Sequence, residues 1–444
     1  MTKRDNSEKR ICIIGLGYVG LTLATVLAES GFKVLGIERR KEIVELTNKG
    51  QPHFCEKGLL ESLERVVKDG YLKAYESIEH IESCDIYFIT VGTPLNSDGI
   101  LRLDMIENAS KEVASNMKDG SLVIVRSTVK IGTTREIVSP ILSESGKIFS
   151  VAMCPERTLE GKALQELREL PQIVGADNAE IRDRAVSIFR NFTNSTVEVS
   201  TLETAETIKL VDNTFRDVNF AFANEVARVC EPFKVNVQEV ISSGNLGYSR
   251  TNLPYPGLVG GPCLEKDPHI FEQSALSKGI TLDITSASRL TNERQIDETL
   301  GFIFDEMNRR SFKDKVKVCL LGMAFKGVPE TDDLRGSMSL KVLKQINELR
   351  PDLEIHVYDH VVSNEDIASA VANVKIAETI NHALSDASVA IILNNHPIFK
   401  EISLLKIKDI MSSNSFIYDY WNNFSNLKEE QISGFYFAVG NTGR

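Results

Sequence analysis

The chain has 444 residues, of which 42% are hydrophobic and 25% are charged, and its formal net charge is −11. This length allows two or three domains with separate cores, and the composition is that of an ordinary globular protein. The negative charge argues against nucleic-acid binding, and no apolar run approaches the roughly 18 residues that a membrane helix needs. The start, Met1–Arg10, lacks the apolar stretch of a secretory signal, so we expect a cytoplasmic protein that binds neither nucleic acid nor membrane.

Seven cysteines are scattered along the chain, and none forms a CxxC pair. The odd number and the absence of a secretory signal argue against a disulfide framework or a zinc site, so no metal is expected. Cys12, Cys154 and Cys319 sit in apolar, strand-like runs, where cysteine is usually a small buried hydrophobe. Cys263 does not, and it is therefore the cysteine to consider for chemistry.

Short β-rich runs alternate with helical stretches through the first half of the chain. This pattern predicts a parallel sheet with helices on both faces. The predicted strands are Ile11–Gly15, Val34–Glu38, Ile86–Val91, Leu122–Arg126, Phe149–Cys154 and Thr196–Val199, and the helical candidates include Val19–Ser30, Asp104–Met117 and Thr133–Ser143.

The next stretch, Leu202–Glu231, contains no Gly or Pro and carries apolar residues at helical spacing. It predicts a helix of nearly thirty residues that ends at Pro232. A helix of this length often joins domains or packs against its copy in a dimer, with burial inside one subunit as the alternative.

After a loop rich in Gly and Pro, Ser242–Asp267, and a further helical region, the βα alternation resumes. The predicted strands there are Val316–Gly322, Glu354–Asp359, Val389–Asn394 and Phe416–Asp419. The expected fold class is α/β, with two Rossmann-like doubly wound domains, 1–200 and 313–444, joined by a central helical domain, 201–312.

The first predicted strand runs into the pattern GxGxxG, formed by Gly15, Gly17 and Gly20, and then into a helix that begins with Tyr18 and Val19. In a dinucleotide site these glycines allow the tight turn, the approach of the backbone to the pyrophosphate, and close packing of helix on strand. The alternative is an ordinary glycine turn, but the flanking strand and helix favour a dinucleotide.

Glu38 ends the second predicted strand at the distance expected for the residue that accepts hydrogen bonds from the ribose hydroxyls. A carboxylate there repels a 2′-phosphate and favours NAD. Arg39 and Arg40 follow directly and keep NADP open as the alternative.

Downstream of this fingerprint, an ordered series of motifs resembles the UDP-glucose/GDP-mannose dehydrogenase family over nearly the whole chain. The motifs are Val91–Pro94, which includes Thr93; Ser127–Val129 with Gly132–Thr134; Pro155–Arg157 with Glu160 and Gly161; Lys209 with Asn213; Gly260–Asp267; and Gly322–Lys326 with Thr331–Arg335 and Ser337. The resemblance implies an NAD-binding Rossmann domain, a central helical dimerisation domain that carries the cysteine loop, and a C-terminal domain that binds the nucleotide sugar.

The resemblance also implies a two-step oxidation of a sugar CH2OH to a carboxylate, with Cys263 as covalent nucleophile. A thiolate can hold the aldehyde as a thiohemiacetal and then as a thioester that water cleaves. Gly260 lets the backbone approach a substrate, and Lys266, close to Asp267, would favour the thiolate. Without the family, a structural cysteine in a turn is the alternative.

Further roles follow from the same resemblance. Lys209 and Asn213, one helical turn apart, would organise a water and stabilise oxyanions, although such a pair alone is also typical of a solvated stripe. Thr128 would position water or the alcohol, and Glu156 would be the general base for thioester hydrolysis. Asp267 joins this catalytic set.

Ligand-binding roles complete the expected site. Cofactor-binding residues by resemblance are Tyr18, Val19, Arg39, Thr93, Thr128, Glu160, Lys266 and Arg335, and substrate-binding residues are Glu156, Arg157, Lys209, Asn213, Arg250, Gly260, Phe325 and Lys326. Lys326, Arg335 and Arg250 are the candidate counter-charges for a sugar diphosphate. An Ala-Phe-Lys sequence after a strand is otherwise most often a core edge and a surface lysine.

The segment from Cys154 to Gly161 indicates which nucleotide sugar is the substrate. Its Pro-Glu-Arg form resembles the enzymes that oxidise UDP-N-acetylmannosamine or UDP-N-acetylglucosamine at C6, for surface polysaccharide synthesis. Lys266 resembles the UDP-glucose type instead, and Pro262 departs from the common residues there. UDP-glucose 6-dehydrogenase is therefore one alternative, a single-step hydroxyacid-type dehydrogenase a second, and a non-catalytic subunit that binds nucleotide sugars a third.

Overall fold

The computed structural model describes residues 9–312, 315–424 and 434–442, so most of the polar start lies outside the described residues. The chain forms two compact units. The first contains residues up to Asp212 together with His269–Thr281, and the second contains Asn213–Pro268 and the residues from Leu282 onward.

The first unit is built on one sheet, which has eight strands among the described residues, in the order β3-β2-β1-β4-β5-β6-β7-β8. All neighbouring strands are parallel except β6 and β7, which run antiparallel. The strands are β1 (Arg10–Ile14), β2 (Lys33–Ile37), β3 (Leu72–Tyr75), β4 (Ile86–Ile89), β5 (Ser121–Val125), β6 (Phe149–Met153), β7 (Gln172–Gly175) and β8 (Thr196–Val199).

Helices cover this sheet, and the inner strands are therefore apolar on both faces. Ile11, Cys12 and Ile13 of β1 have no exposed surface. The helices are α1 (Tyr18–Glu29), α2 (Lys41–Asn48), α3 (Leu59–Lys68), α4 (Asp104–Asn116), α5 (Ser139–Ser143), α6 (Ala163–Glu169) and α7 (Ala179–Phe189), with a 3-10 turn at Ile78–His80 and a π-helical turn at Thr134–Val138.

The long helix α8 (Leu202–Phe233) follows and contributes to both units. The predicted helix is present, but it does not end at Pro232, which lies inside its last turn. A proline in the last turn removes only its own backbone N–H donor, and a single residue of the helix follows it. The helix therefore tolerates the proline at this position. Further helices are α9 (Val237–Asn245), α10 (Gly261–Leu264), α11 (Asp267–Leu276) and α12 (Asp283–Arg310).

Helix α11 joins the first unit through side chains that bond its loops. Gln273 accepts from the backbone N–H of Leu101 at 3.0 Å and donates to the carbonyl of Gly99 at 2.7 Å. Ser274 accepts from the N–H of Ile131 at 3.2 Å. A segment distant in sequence therefore completes the first unit.

The second unit contains a sheet with six strands among the described residues, all parallel, in the order β11-β10-β9-β12-β13-β14. Its strands are β9 (Lys317–Leu321), β10 (Glu354–Tyr358), β11 (Lys375–Ile376), β12 (Val389–Ile392), β13 (Phe416–Asp419) and β14 (Tyr436–Ala438). The accompanying helices are α13 (Met338–Leu349), α14 (Asn364–Ala370), α15 (Ile380–Leu384) and α16 (Leu404–Ile410), with a 3-10 turn at Pro397–Lys400.

Both sheets carry the strand order of a Rossmann fold, in which the first strand lies at the centre and the chain reverses direction beside it. The predicted fold class, two doubly wound α/β regions joined by a long helix, is confirmed. Four strands of two to four residues, β3, β7, β11 and β14, were not predicted, because so short a run shows no clear periodicity. The domain boundaries at 200 and 312 remain a prediction.

Within the described ranges, none of the helices combines the length and apolar character that crossing a membrane requires.

Candidate active site

The turn between β1 and α1 has the geometry of a dinucleotide site. Gly15 adopts a φ of +92°, and its N–H bonds to the carbonyl of Ile37 at 2.8 Å. A Cβ at Gly20 would overlap the carbonyl oxygen of Gly15, so the fold itself requires this glycine. A Cβ at Gly17, in contrast, would meet no protein atom within 4 Å. The open space at Gly17, next to the first turn of α1, fits the pyrophosphate of NAD.

Glu38 lies at the end of β2 beside this turn, as predicted. One carboxylate oxygen accepts from the N–H of Leu16 at 3.2 Å, and Arg40 donates to the other from Nε at 3.0 Å. Burial alone would raise the pKa of Glu38, but the donors from Arg40 and Leu16 bring it below its usual value. Glu38 is therefore held ionised. Arg39 turns the other way and pairs with Glu112 at 2.6 Å.

Tyr18, the first residue of α1, connects the dinucleotide turn to the loop after β6. Its hydroxyl donates to the carboxylate of Glu56 and accepts from the N–H of Gly161. The same carboxylate accepts from Gly161 N at 2.7 Å and from Ala163 N at 2.9 Å. Glu160 precedes these amides, so Glu56 fixes the loop that carries a predicted cofactor-binding residue.

Thr128 follows β5 and lies half-buried at the carboxyl edge of the sheet. Thr93, which follows β4, donates from its hydroxyl to the carbonyl of Thr128 at 2.6 Å. Buried Glu206 of α8 holds the rest of this loop: its carboxylate accepts from Gly132 N at 2.6 Å and from Thr134 N at 2.8 Å. The threonine is thus set on a constrained backbone.

Glu156 follows β6 at the same edge and forms a buried ion pair. Arg126, at the end of β5, donates to one of its oxygens from Nη2 at 2.6 Å and from Nε at 3.0 Å. The other oxygen accepts from the N–H groups of Arg157 at 2.8 Å and Thr158 at 2.9 Å. Burial opposes ionisation, but the charge of Arg126 and these amides outweigh it and keep the pKa of Glu156 below its usual value.

Arg157 points away from Glu156. Its guanidinium bonds to Asp212 of α8 at 3.1 Å and to the carbonyl of Pro171 at 2.7 Å.

Lys209 and Asn213 lie one turn apart on α8, and both are buried. Their burial argues against the alternative that this polar pair is a solvated stripe of the helix. The first unit therefore places Thr93, Thr128 and Glu156 after neighbouring strands β4, β5 and β6, the edge where such sheets bind ligands.

In the second unit, Cys263 is half-buried within the short helix α10. Gly261 opens this helix with a φ of +86° and donates to the carbonyl of Gly336 at 2.7 Å. A Cβ at Gly261 would overlap the ring of Phe325, and one at Gly260 would lie 2.6 Å from the carbonyl oxygen of Gly336. Both glycines are needed so that the cysteine loop can lie directly against the loop after β9.

Asp267 follows Cys263 by four residues and has no exposed surface. Its carboxylate accepts from Lys266 Nζ at 2.8 Å and from Asn213 Nδ2 at 2.6 Å. The structure therefore brings three predicted residues, Asn213, Lys266 and Asp267, into one hydrogen-bonded group. This group lies next to α10, the helix that carries Cys263, which we call the cysteine helix.

The remaining predicted residues of this unit lie in two places. Lys326 sits over the ring of Phe325, with its Nζ 5.1 Å from the ring centre, and Arg335 forms a bidentate pair with Asp333. These cations are on the loop that contacts the cysteine helix. Arg250 is exposed and stacks on Tyr248 at 4.7 Å, in the loop after α9.

Sequence reasoning missed Arg126, Glu56 and Glu206, which hold the predicted residues in place. Arg126 directly precedes Ser127 and Thr128, and Glu206 lies one turn before Lys209. A charged residue at the buried end of a strand, or on the inner face of a helix, was the available signal. Their partners are distant in sequence and could not be identified from it.

Three family models match the chain in order. They are the NAD-binding domain of the UDP-glucose/GDP-mannose dehydrogenase family over residues 9–193, its central domain over 203–294, and its UDP-binding domain over 319–426.

Similar proteins agree with this assignment. A UDP-N-acetyl-D-mannosamine dehydrogenase of Campylobacter jejuni is 31% identical over 417 residues, which cover 90% of this chain and 99% of the relative. A solved UDP-D-ManNAc dehydrogenase from Pyrococcus horikoshii has a TM-score of 0.88 at 30% identity, covering 98% of this chain and 100% of its own. A UDP-glucose dehydrogenase from Pyrobaculum islandicum has a TM-score of 0.87 at 27% identity, with 99% of each chain covered. This chain thus belongs to the UDP-glucose/GDP-mannose dehydrogenase family, whose members are NAD-dependent oxidoreductases that act on nucleotide sugars.

Proposed function

We propose that the chain oxidises the C6 alcohol of a UDP-N-acetylhexosamine to the uronic acid, with UDP-N-acetylmannosamine as the first candidate and UDP-N-acetylglucosamine as the second. Several relatives at 30–32% identity are UDP-N-acetyl-D-mannosamine dehydrogenases, and this similarity and the Pro-Glu-Arg segment around Glu156 support the choice. We place the enzyme in the cytoplasm, in the supply of surface polysaccharide precursors.

The observation that carries the proposal is the setting of Cys263. Its thiol is half-buried, on a helix that two glycines bring against Phe325, beside the group formed by Asn213, Lys266 and Asp267. A structural cysteine needs none of these features. A nucleophile needs a backbone that approaches the substrate and a fixed neighbouring cation.

The proposed reaction converts one alcohol, two NAD⁺ and one water into one carboxylate, two NADH and three protons. NAD, when bound, supplies the capacity to accept two electrons in each of the two oxidations. Cys263 acts between them: its thiolate adds to the aldehyde carbon, and the resulting thiohemiacetal is oxidised to a thioester. Water then cleaves the C–S bond, which returns the thiolate and releases the acid.

The other catalytic roles fit the positions of the side chains. The ammonium of Lys209 and the amide of Asn213 would stabilise the oxyanions that form at the reacting carbon, and Thr128 would position the alcohol or water. Glu156 is the proposed base for hydrolysis. Because Arg126 holds it ionised with a low pKa, it is a weak base, and it would act chiefly by orienting the water.

Binding of the substrate would use cations of the second unit. Lys326 and Arg335 would face the diphosphate, Phe325 and Gly260 would border the sugar, and Arg250 would add a further positive charge. Arg157 is the proposed substrate contact in the first unit.

We also propose a homodimer built on α8. Phe215, Phe222, Val229 and Phe233 recur at intervals of seven and four residues, and each is 57–72% exposed. Such a spacing puts them on one stripe of the helix, and a stripe of exposed aromatic and aliphatic side chains is typical of an interface. Sedimentation velocity tests this: Phe222→Asp should give monomers where the unaltered chain gives dimers, and an unaltered chain that sediments as a monomer refutes the dimer.

A substrate panel with NADH detection tests the function. UDP-ManNAc, UDP-GlcNAc, UDP-GalNAc, UDP-glucose and GDP-mannose are compared, and two NADH per acid are expected from the preferred substrate. UDP-glucose as the best substrate would establish the first alternative, and one NADH per substrate would establish a single-step dehydrogenase. Binding without NADH formation from any member would favour the non-catalytic subunit.

Replacing the nucleophile tests the chemistry separately. Cys263→Ser should lose acid formation and keep its affinity for NAD, with Cys55→Ser as the matched control because Cys55 is an exposed thiol in the first unit. Normal acid production by Cys263→Ser would refute the covalent route.

A further inference from the structure

A buried ion pair in the second unit contacts the cysteine helix. Arg289 of α12 is 2% exposed, and Asp217 of α8 has no exposed surface. The Nη1 of Arg289 donates to Asp217 Oδ1 at 2.6 Å, and the side chain of Asn292 donates to the same oxygen at 2.9 Å. None of these residues belongs to the predicted site.

The same guanidinium also bonds the cysteine helix. Nη1 of Arg289 donates to the carbonyl of Leu264 at 3.1 Å, and Leu264 is the residue directly after Cys263. Leu264 ends α10, where the last carbonyls of a helix have no partner within the helix. Arg289 therefore supplies a charged donor to the end of the helix that carries the thiol.

A helix of four residues cannot hold its own shape, because nucleating a turn costs more than so few hydrogen bonds return. Its position must come from its surroundings. At one end Gly261 bonds to Gly336, and four residues after Cys263 the carboxylate of Asp267 bonds to Asn213. Between these two points, Lys341 pairs with Glu265 at 2.6 Å, and Arg289 makes the contact at Leu264, the residue next to the thiol.

We propose that Arg289 is a positioning residue for Cys263, which acts through the carbonyl of Leu264 and is itself held by Asp217. This inference rests on the proposed function only in naming Cys263 as the nucleophile. Lysine is a poor replacement for Arg289. Its single flexible ammonium lacks the rigid plane that aims Nη1 at both the carboxylate and the carbonyl while Nη2 bonds to Glu293 at 3.2 Å.

The test compares Arg289→Lys with a matched control on the same helix. Arg310, also buried, pairs with Glu306 and donates to the carbonyl of Ser415 at 2.7 Å. It lies 21 residues after Arg289 on α12, a separation of about 30 Å along the helix. Arg310→Lys therefore removes a similar buried guanidinium far from the cysteine loop.

Thiol reactivity supplies a readout that does not depend on turnover. Of the seven cysteines, five are buried, Cys55 is exposed and Cys263 is half-buried. Alkylation of the native protein by iodoacetamide, followed by peptide mass spectrometry, gives separate rates for Cys263 and Cys55. In Arg289→Lys we expect the Cys263 rate to change at least threefold, kcat to fall at least tenfold, and the Cys55 rate and the KM for the nucleotide sugar to change less than twofold.

Arg310→Lys should leave both thiol rates and kcat within twofold of the unaltered protein. If Arg289→Lys does not fold, Asp217→Leu combined with Arg289→Met replaces the pair by apolar side chains and should give the same Cys263 changes. Folded Arg289 variants with an unaltered Cys263 rate and kcat, or an Arg310 variant with the same changes, would overturn the proposal. A failure of the proposed function can be told apart from a failure of this inference. If Cys263 is not the nucleophile, Cys263→Ser still forms the acid, whereas the alkylation rates of Cys263 in the Arg289 variants do not depend on that result.

Discussion

Replacing Arg126 by methionine isolates the buried pair that it forms with Glu156. The guanidinium has no exposed side-chain surface and makes two bonds to Glu156, one to the carbonyl of Cys154 and one to Gln172. Methionine fills most of the space but leaves a buried carboxylate unpaired. Breaking such a pair costs about 3–5 kcal/mol.

The size of the effect should depend on pH in a definite direction. In the unaltered protein, the low pKa of Glu156 stabilises the fold above its usual pKa, and this contribution is lost as the pH falls. In Arg126→Met, burial is no longer opposed by the guanidinium, so the pKa of Glu156 should lie higher and the carboxyl can be protonated in the fold. The difference in stability between the two proteins should therefore be largest near pH 7–8 and shrink below about pH 5.

Thermal unfolding followed by far-ultraviolet circular dichroism measures this difference. For a unit of about 200 residues, 3–5 kcal/mol corresponds to a drop in Tm of roughly 6–20 °C. Arg135→Met is the matched control. Arg135 also forms ion pairs in the first unit, with Asp177 and Glu203, but its side chain is 47% exposed, so its loss should change the stability by about 1 kcal/mol or less. Arg126→Met with Glu156→Leu should recover most of the loss. A drop in Tm that is equal at pH 5 and pH 8, or no larger than that of the control, would refute the reasoning.

Three further predictions concern glycines and a buried acid. Gly17→Ala should weaken NAD binding in calorimetry and leave the Tm within about 1 °C, whereas Gly20→Ala, which overlaps Gly15, should lower the Tm; equal effects on stability would contradict the assigned roles. Gly261→Ala should reduce kcat/KM for the nucleotide sugar at least tenfold with NAD affinity unchanged, because its φ of +86° and the ring of Phe325 leave no room for a Cβ; normal steady-state kinetics would count against the close approach. Burial raises the pKa of Asp419 to about 6, so this group should lower the unfolding free energy by about 3 kcal/mol as the pH rises from about 4 to 6, and Asp419→Asn should lack that dependence. Urea unfolding followed by the fluorescence of the single tryptophan, Trp421, measures it, and parallel pH curves for both proteins would show the assignment to be wrong.

The features that could be predicted from the sequence are those with local signatures. The glycines of the first turn and the length of α8 follow from spacing within one segment, and Glu38 follows from its distance along the chain. Two buried ion pairs could not be predicted in this way, because their partners are far apart in sequence. Arg126 and Glu156 are 30 positions apart, and Arg289 and Asp217 are 72 positions apart. Their burial depends on which strands and helices become neighbours, and periodicity carries no information about that.

The family resemblance points to the proposed reacting residues, such as Thr128 and Cys263, but not to the side chains that hold them in place. The buried donors behind them, Arg126 and Arg289, became visible only as hydrogen bonds in the structure. The same limit explains why the extension of α8 past Pro232 was missed, since a proline signals a helix end without regard to packing.

The division of the chain has a consequence for its synthesis on the ribosome. The first unit needs His269–Thr281, whose Gln273 and Ser274 bond its loops, yet these residues are made only after 213–268, which belong to the second unit. Domains usually fold one after another as the N-terminal part emerges. Here part of the second unit leaves the exit tunnel before the first unit is complete. Until then the backbone N–H groups of Leu101 and Ile131 lack their partners Gln273 and Ser274. The two units are therefore completed in an interleaved order during synthesis, since neither consists of one continuous segment of the chain.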